Sequence, residues 1–136
     1  MEYIYQYLIL SGVLTLLLWT PYILSRVFVW GLPTFLFNYP KGFPAEEPTP
    51  PLWAQRAKRA HLNMVETMPA FIAVLIGSAS LATEPQLDVI CHLSRIFLVA
   101  RAVYAVVYTL GIPFLRTPVY LVSWAAILVM AATVLL

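Results

Sequence analysis

A cluster of polar and charged side chains lies at the start of the second of four long apolar segments. Arg56, Arg59, Asn63 and Glu66 follow one another at spacings i, i+3, i+7 and i+10, so they share one face of a helix. Guanidinium, amide and carboxylate groups on one face suit a small anion that also carries an amine. Only 10% of the chain is charged, so charges at the edge of a membrane segment indicate a specific role.

A second cluster lies on the third apolar segment. Arg101, Tyr104 and Tyr108 share a helix face at i, i+3 and i+7, and Arg116 precedes the fourth segment. Glu66 and Arg101 are expected at similar depth, so one alternative is a purely structural ion pair joining two helices. That pair leaves the other polar residues of both clusters unexplained, which favours a ligand site.

The composition places the chain in a membrane. Of its 136 residues, 62% are hydrophobic, and a soluble domain of this size would not bury so much apolar surface. The fold class predicted is all-α integral membrane, a bundle of four transmembrane helices in a single domain. The predicted helices cover residues 3–30, 52–82, 86–110 and 117–136, and a proline-rich cytoplasmic loop covers residues 31–51. We expect Pro21 to bend the first helix.

Charges in the connections predict the orientation. Basic residues concentrate in the 1–2 and 3–4 connections, whereas the opposite side carries Glu2, Glu84 and Asp88. The positive-inside rule therefore places these two connections in the cytoplasm and both termini outside. The first segment lacks the basic start and cleavage site of a signal peptide. A net charge of +2 suggests no nucleic-acid partner.

The remaining polar residues suggest structural roles. Asp88, His92 and Arg95 have the spacing of a local salt-bridged network on the third helix. His61 points away from the Arg59 face and is expected to contact a neighbouring helix or subunit. No nucleophile constellation and no His/Cys metal cluster occurs in the sequence, so no metal site is predicted.

These motifs resemble those of the MAPEG family, the membrane-associated proteins in eicosanoid and glutathione metabolism. The stretch Arg56-x-x-Arg59-Ala-His61-x-Asn63-x-x-Glu66 is similar to the helix 2 signature of the family. Arg101-x-x-Tyr104-x-x-x-Tyr108 resembles the helix 3 signature, and Arg116 falls where the family has an arginine at the start of helix 4. The resemblance covers essentially the whole chain. In its short length the chain resembles bacterial branches, which implies the bacterial inner membrane.

The resemblance implies a homotrimer that binds glutathione in clefts between subunits, open to the cytoplasm. It also implies transfer or peroxidase chemistry on a hydrophobic small-molecule or lipid electrophile that arrives through the membrane lipids. Arg116 would stabilise the glutathione thiolate, with Thr117 where some members have a serine. The remaining residues would bind glutathione: Arg26, Arg56, Arg59, Asn63, Glu66, Arg101, Tyr104 and Tyr108.

Two alternatives to this enzyme stay open at the level of sequence. A non-catalytic membrane protein of the same family would keep the buried charges as structural ion pairs. A small four-helix multidrug exporter would need a membrane-embedded acid in helix 1, whereas residues 3–25 carry no charge.

Overall fold

The computed structural model describes residues 2–37 and 49–136, and all regular structure in those ranges is helical. The helices are α1 (Glu2–Leu17), α2 (Thr20–Trp30), α3 (Leu32–Phe37), α4 (Leu52–Leu81), α5 (Glu84–Leu110) and α6 (Arg116–Leu135). Four stretches are long and apolar enough to cross a membrane: α1 with α2, then α4, α5 and α6. This confirms the predicted all-α architecture with four spans. Residues 38–48, the larger part of the predicted proline-rich loop, lie outside the described residues.

The first span, Glu2–Trp30, is divided into two helices, so the bend predicted at Pro21 is a break between α1 and α2. α1 ends at Leu17, the residue whose carbonyl would accept a hydrogen bond from position 21 in a continuous helix. Pro21 has no N–H to donate and instead lies in the first turn of α2, where proline is well tolerated. The second part of this span therefore forms a separate helix, α2.

Two further boundaries differ from the sequence-based expectation. Residues predicted to be non-helical form the short helix α3, because Pro33 occupies its first turn, where a missing N–H costs little. Glu84 and Pro85 were expected in the turn between the second and third spans, but α5 begins at Glu84. A capping box between Thr83 and Gln86 marks this start, with the Thr83 N–H donating a hydrogen bond of 2.8 Å to the Gln86 side-chain oxygen.

The main core is formed where α4, α5 and α6 pack together, with α1 against α4 and α5. Phe71 of α4 and Phe97 of α5 stack face to face, with ring centroids 3.8 Å apart and an angle of 7° between the ring planes. Both rings are fully buried. Ile4, Met64 and Met130 complete this apolar region from three different helices.

The chemistry of the helix interface changes one turn beyond this apolar region. Buried small residues (Ala54, Ala57 and Ala60) line α4 there at intervals of three, and they let neighbouring helices approach closely. Ala60 packs with the buried Tyr104 of α5, and the buried Arg101 lies one turn earlier on the same helix. The polar end of the bundle is therefore built into the same helix packing as the apolar core.

Candidate functional site

Arg101 is the largest fully buried side chain, with an exposed fraction of 1%. Its Nη2 donates a hydrogen bond of 2.7 Å to the Asn63 side-chain oxygen, and its Nε lies 3.3 Å from the Met64 sulfur. The guanidinium carbon lies 4.7 Å from the ring centroid of Tyr104 and 5.7 Å from that of Tyr120. Nη1 is buried and has no hydrogen-bond partner. Arg101 thus links α4, α5 and α6, while its Nη1 remains a donor without an acceptor.

The ion pair between Glu66 and Arg101, considered as a structural alternative, is not formed. Glu66 is exposed, and Arg101 bonds an amide and a thioether in its place. The reason is the rotation of α4 about its own axis, which decides which of its side chains face α5. Met64 is fully buried against α5, and a residue two positions later points about 200° away. Glu66 therefore faces outward from the single chain.

Polar side chains next to Arg101 form the wall of a small cavity of about 280 Å³, here called the tyrosine cavity. Its walls are Asn63, Tyr104, Tyr108, Arg116, Thr117 and Tyr120. The ring centroids of Tyr104 and Tyr108 lie 5.5 Å apart, and those of Tyr104 and Tyr120 lie 6.0 Å apart. Arg116 extends over Tyr108, its guanidinium carbon 5.7 Å from the ring centroid. The cavity therefore brings one cation, one amide and four hydroxyl groups together.

A larger cavity of about 580 Å³ adjoins the first and is here called the arginine cavity. The two share Tyr108, Arg116 and Thr117, and the larger one adds Arg56 and Arg59 of α4. The connection from α5 to α6 completes its wall with Gly111, Ile112, Pro113 and Phe114. Neither wall includes an acidic residue of the described chain. The combined space suits an elongated ligand with negatively charged groups.

The turn after α5 has a demanding backbone geometry. Gly111 adopts a left-handed conformation (φ 71°) and caps α5, with its N–H and that of Ile112 bonded to carbonyls of the last turn. A Cβ atom at Gly111 would overlap the Arg56 guanidinium, so that group lies directly against the Gly111 backbone. A cation there also interacts favourably with the negative end of the α5 dipole. Arg56 thus packs against the turn that leads to Arg116.

Arg26 is separated from this cluster. It lines a different groove, on the α2 side of α4, and Arg59 is the one predicted site residue in the walls of both that groove and the arginine cavity. Within one chain the structure therefore brings most predicted residues together around Arg116, with Arg101 behind the cavity wall. It leaves Arg26 on the other side of α4 and Glu66 outside both cavities.

Tyr120 was missed by the sequence analysis, although it lines the tyrosine cavity and contacts Arg101. The signal was present, because Tyr120 follows Arg116 at i+4 and must share its helix face. The same reasoning that selected Tyr104 and Tyr108 from Arg101 would have found it on α6.

Of the predictions for the other polar residues, one was confirmed and one was wrong. His61 lies 3.0 Å from the Tyr22 hydroxyl, which confirms the expected contact with a neighbouring helix. The predicted salt-bridged network of Asp88, His92 and Arg95 was wrong, since all three are exposed and the described chain shows no ion pair among them. Across residues 2–37 and 49–136, no three His, Cys, Asp or Glu side chains group in a way that could hold a metal ion.

Comparison with known sequences agrees with the geometry. The sequence model of the MAPEG family matches residues 6–136, essentially the whole chain. The chain belongs to the MAPEG family. Comparisons with curated proteins and with solved structures gave no match. Membership together with the four apolar spans makes this an integral membrane protein of a family that includes glutathione transferases and related proteins.

Proposed function

We propose that this MAPEG protein binds glutathione across the tyrosine and arginine cavities and activates its thiol for attack on hydrophobic electrophiles. The observation that carries the proposal is that two adjoining cavities share Arg116 and have no acidic wall residue in the described chain. Glutathione has two carboxylates, one amine and one thiol, so most of its polar groups are acceptors for such walls.

The carboxylates fit the arginine cavity. Arg59 is exposed there and free to offer two parallel N–H groups to a carboxylate. Arg56 lies against Gly111 and contributes positive charge from a fixed position. Asn63 and Tyr108 are placed to bond the peptide groups of the tripeptide.

The thiol fits the boundary between the cavities, where Arg116 and Thr117 lie. A free thiol of pKa about 8.5 is only a few per cent ionised at neutral pH. Lowering that pKa by about two units requires roughly 2.7 kcal/mol of preferential stabilisation of the thiolate. A guanidinium within hydrogen-bond reach supplies stabilisation of this size. Arg116 is the group that we assign to this role, with Thr117 as an additional hydroxyl donor.

In the transfer reaction the thiolate sulfur attacks an electrophilic carbon. A carbon–sulfur bond forms and the leaving group departs with the electron pair of its own bond. With a hydroperoxide the thiolate would attack the terminal oxygen, the O–O bond would break and the alcohol would leave, giving the sulfenic acid of glutathione; the thiol of a second glutathione would then attack that sulfur, releasing water and glutathione disulfide. Because the spans expose large apolar side chains over most of their length, an electrophile dissolved in the bilayer has direct access to the protein surface.

Arg101 acts in this proposal as a positioning residue. It holds Asn63 by a hydrogen bond and packs against Tyr104 and Tyr120, three of the side chains that line the tyrosine cavity. Arg101 itself lines neither cavity, so it acts through these side chains and not by touching the ligand.

The remaining assignments require a second chain. Glu66 is exposed near the middle of α4, and Arg26 lies on the far side of the helix that carries the cavities. In the proposed homotrimer, Arg26 of a neighbouring subunit would complete the carboxylate site and Glu66 would bind the amine. We further propose the bacterial inner membrane, with the cavities opening to the cytoplasm, in line with the positive-inside rule.

The alternative is a non-catalytic member of the family, and one observation favours it. Arg101 is integrated into the packing of three helices and therefore has a structural role whether or not a ligand binds. In that case glutathione would not raise the melting temperature of the protein.

The test is titration calorimetry of the detergent-purified protein with glutathione, together with turnover of an electrophilic aryl halide. We expect saturable binding, and we expect Arg116→Ala to lower turnover by about 10²-fold or more while largely keeping affinity. Arg95→Gln is the matched control, because Arg95 is an exposed cation outside both cavities. Unchanged turnover in Arg116→Ala would refute its assigned role, and absence of binding in a folded protein would refute the site.

A further inference from the structure

The outward face of α5 carries a polar stripe that the proposed glutathione site does not use. Glu84, Asp88, His92 and Arg95 follow one another at i, i+4, i+8 and i+11, so they lie on one side of the helix. All four are exposed, and the described ranges show no ion pair among them. Because α5 is apolar enough to cross a membrane, a charged face on it needs a polar partner.

Arg95 is the member of this stripe that lies deepest in the membrane. It follows the first residue of α5 by three turns, about 16 Å along the helix axis. The whole helix is about 40 Å long, so about 5 Å of it extends beyond each side of a hydrocarbon core of about 30 Å. A long helical side chain extends toward the start of its helix, which brings the Arg95 guanidinium to about 5 Å below the headgroup region. A small local thinning of the bilayer therefore brings a lipid phosphate within its reach.

The order of the charges along α5 matches one kind of lipid headgroup. The acids Glu84 and Asp88 come first, at the membrane surface, and His92 and Arg95 follow nearer the bilayer centre. In a phospholipid the phosphate adjoins the acyl region, and the rest of the head lies beyond it. A head with an ammonium group beyond its phosphate therefore sets its positive charge beside Asp88 and its negative charge beside Arg95. A head without the ammonium would leave the acids uncompensated.

An apolar crevice of about 370 Å³ continues from Arg95 between α5 and α6. Arg95 is the one polar residue that the described chain contributes to its wall. Val99 and Val103 extend the stripe at i+4 and i+8 from Arg95. Ile96 of α5 and Val119 and Val122 of α6 also line the crevice. A lipid whose phosphate lies at Arg95 would place an acyl chain along these side chains.

The two sides of the crevice are already held together. Toward the start of α5, Gln86 Nε2 donates a hydrogen bond of 2.6 Å to the Thr133 carbonyl oxygen of α6. Farther along, Phe97 of α5 and Ile127 of α6 belong to the same buried apolar cluster. The crevice therefore accepts a chain without the cost of bringing the helices together.

We propose that this surface binds a phospholipid whose head carries a primary ammonium group beyond the phosphate, as in phosphatidylethanolamine. Arg95 and a His92 N–H donate hydrogen bonds to the phosphate, and Asp88 accepts them from the ammonium. One acyl chain lies in the crevice. The residues of this site line neither cavity around Arg116 and do not line the groove beside α2. Lipid binding here is therefore independent of glutathione binding.

Native mass spectrometry of the full chain in mild detergent tests the proposal, because one spectrum counts both bound lipids and associated chains. The probes are phosphatidylethanolamine, phosphatidylcholine and phosphatidylglycerol with identical acyl chains. We expect phosphatidylethanolamine to bind most tightly. Phosphatidylcholine has no ammonium N–H to donate to Asp88, and phosphatidylglycerol has no ammonium group at all.

Substitutions separate the three parts of the site. Arg95→Gln should weaken phosphatidylethanolamine binding about fivefold, whereas Arg95→Lys should retain most of it. Asp88→Asn should lower the preference for phosphatidylethanolamine over phosphatidylglycerol about threefold. Val99→Trp should fill the crevice and weaken the binding of all three lipids. Val106→Trp is the matched control, because Val106 is exposed on the same helix face but does not line the crevice.

Four outcomes would overturn the proposal. Equal affinities for phosphatidylethanolamine and phosphatidylcholine would show that the ammonium is not recognised. An unchanged affinity in Arg95→Gln would remove the phosphate site, and equal losses in Val99→Trp and Val106→Trp would remove the crevice. Fewer associated chains in Arg95→Gln or Asp88→Asn would assign the stripe to contacts between copies of the chain. Thermal unfolding checks that each variant folds, which is expected because all four positions are exposed.

Discussion

Phe97 and Arg101 lie one helical turn apart on α5, both almost completely buried, and they represent two different kinds of helix interface. Phe97 stacks on Phe71 at 3.8 Å in a cluster of buried apolar side chains. Arg101 instead bonds Asn63 and packs against two tyrosine rings. The same helices, in the same packing, thus change from a stabilising interface to one that collects hydrogen-bonding groups.

The difference shows how a small membrane protein separates stability from chemistry. In the apolar region the buried side chains pack against one another and line neither cavity around Arg116, so substitutions there should affect folding alone. Around Arg101 one donor lacks a partner and several hydroxyl groups face a cavity. Substitutions there should affect folding and ligand binding together, which makes the contrast measurable.

The largest effect on stability is expected from Phe71→Ala. Loss of the stacked ring from a fully buried site should lower the free energy of unfolding by about 3–4 kcal/mol. Thermal unfolding in detergent provides the measurement, and glutathione affinity of the folded fraction should stay the same. Ile72→Ala is the matched control, since its side chain is 37% exposed. An equal loss in both variants would contradict the assignment of Phe71 to a packed core.

Asn63→Leu is expected to lower the free energy of unfolding by a smaller amount, and to weaken glutathione binding as well. Arg101 Nη2 would lose its acceptor, and the loss in unfolding free energy should be about 2–3 kcal/mol. The double variant Asn63→Leu/Arg101→Met should recover most of this loss, because no unpaired charge remains. Both variants should bind glutathione poorly. A double variant no more stable than Asn63→Leu would show that the hydrogen bond is not the source of the effect.

The smallest effect is expected in the turn before α6. Gly111→Ala introduces a side chain at φ 71° and displaces the Arg56 guanidinium, and it should cost about 1–2 kcal/mol. Turnover should fall more than glutathione affinity, because the turn aims Arg116. Adding Arg56→Ala should relieve the overlap but not the backbone strain. Full recovery of stability in the double variant Gly111→Ala/Arg56→Ala would show that backbone strain at position 111 does not contribute to the loss.

The sequence was sufficient for the fold and for most residues of the candidate site. Long uncharged segments specify four spans because the bilayer requires about 20 apolar residues for each crossing. Helical spacing then selected Arg59, Asn63, Tyr104 and Tyr108, since residues three, four or seven positions apart must share a face whatever the neighbours are.

Relations between helices were harder to predict. Whether Arg101 would meet Glu66 or Asn63 depends on the rotation of α4 against α5, and that rotation is set by which residue, here Met64, is buried between them. The similar depth expected for Glu66 and Arg101 in the membrane did not specify this rotation. For the same reason Arg26 was grouped with residues that lie on the other side of α4.

Phe114 has a consequence for the environment in which this protein works. It is the one non-glycine residue of the described ranges with a positive φ, 68°, and its ring is 89% exposed at the connection just before Arg116. A bulky aromatic residue is strained in this left-handed conformation, and an exposed aromatic ring at the end of an apolar span is of the type that enters a lipid headgroup layer. Insertion of this ring into the headgroup layer would make the bilayer a structural element of the site. Lipid thickness and surface composition would then influence the position of the Arg116 guanidinium, which packs over the Tyr108 ring.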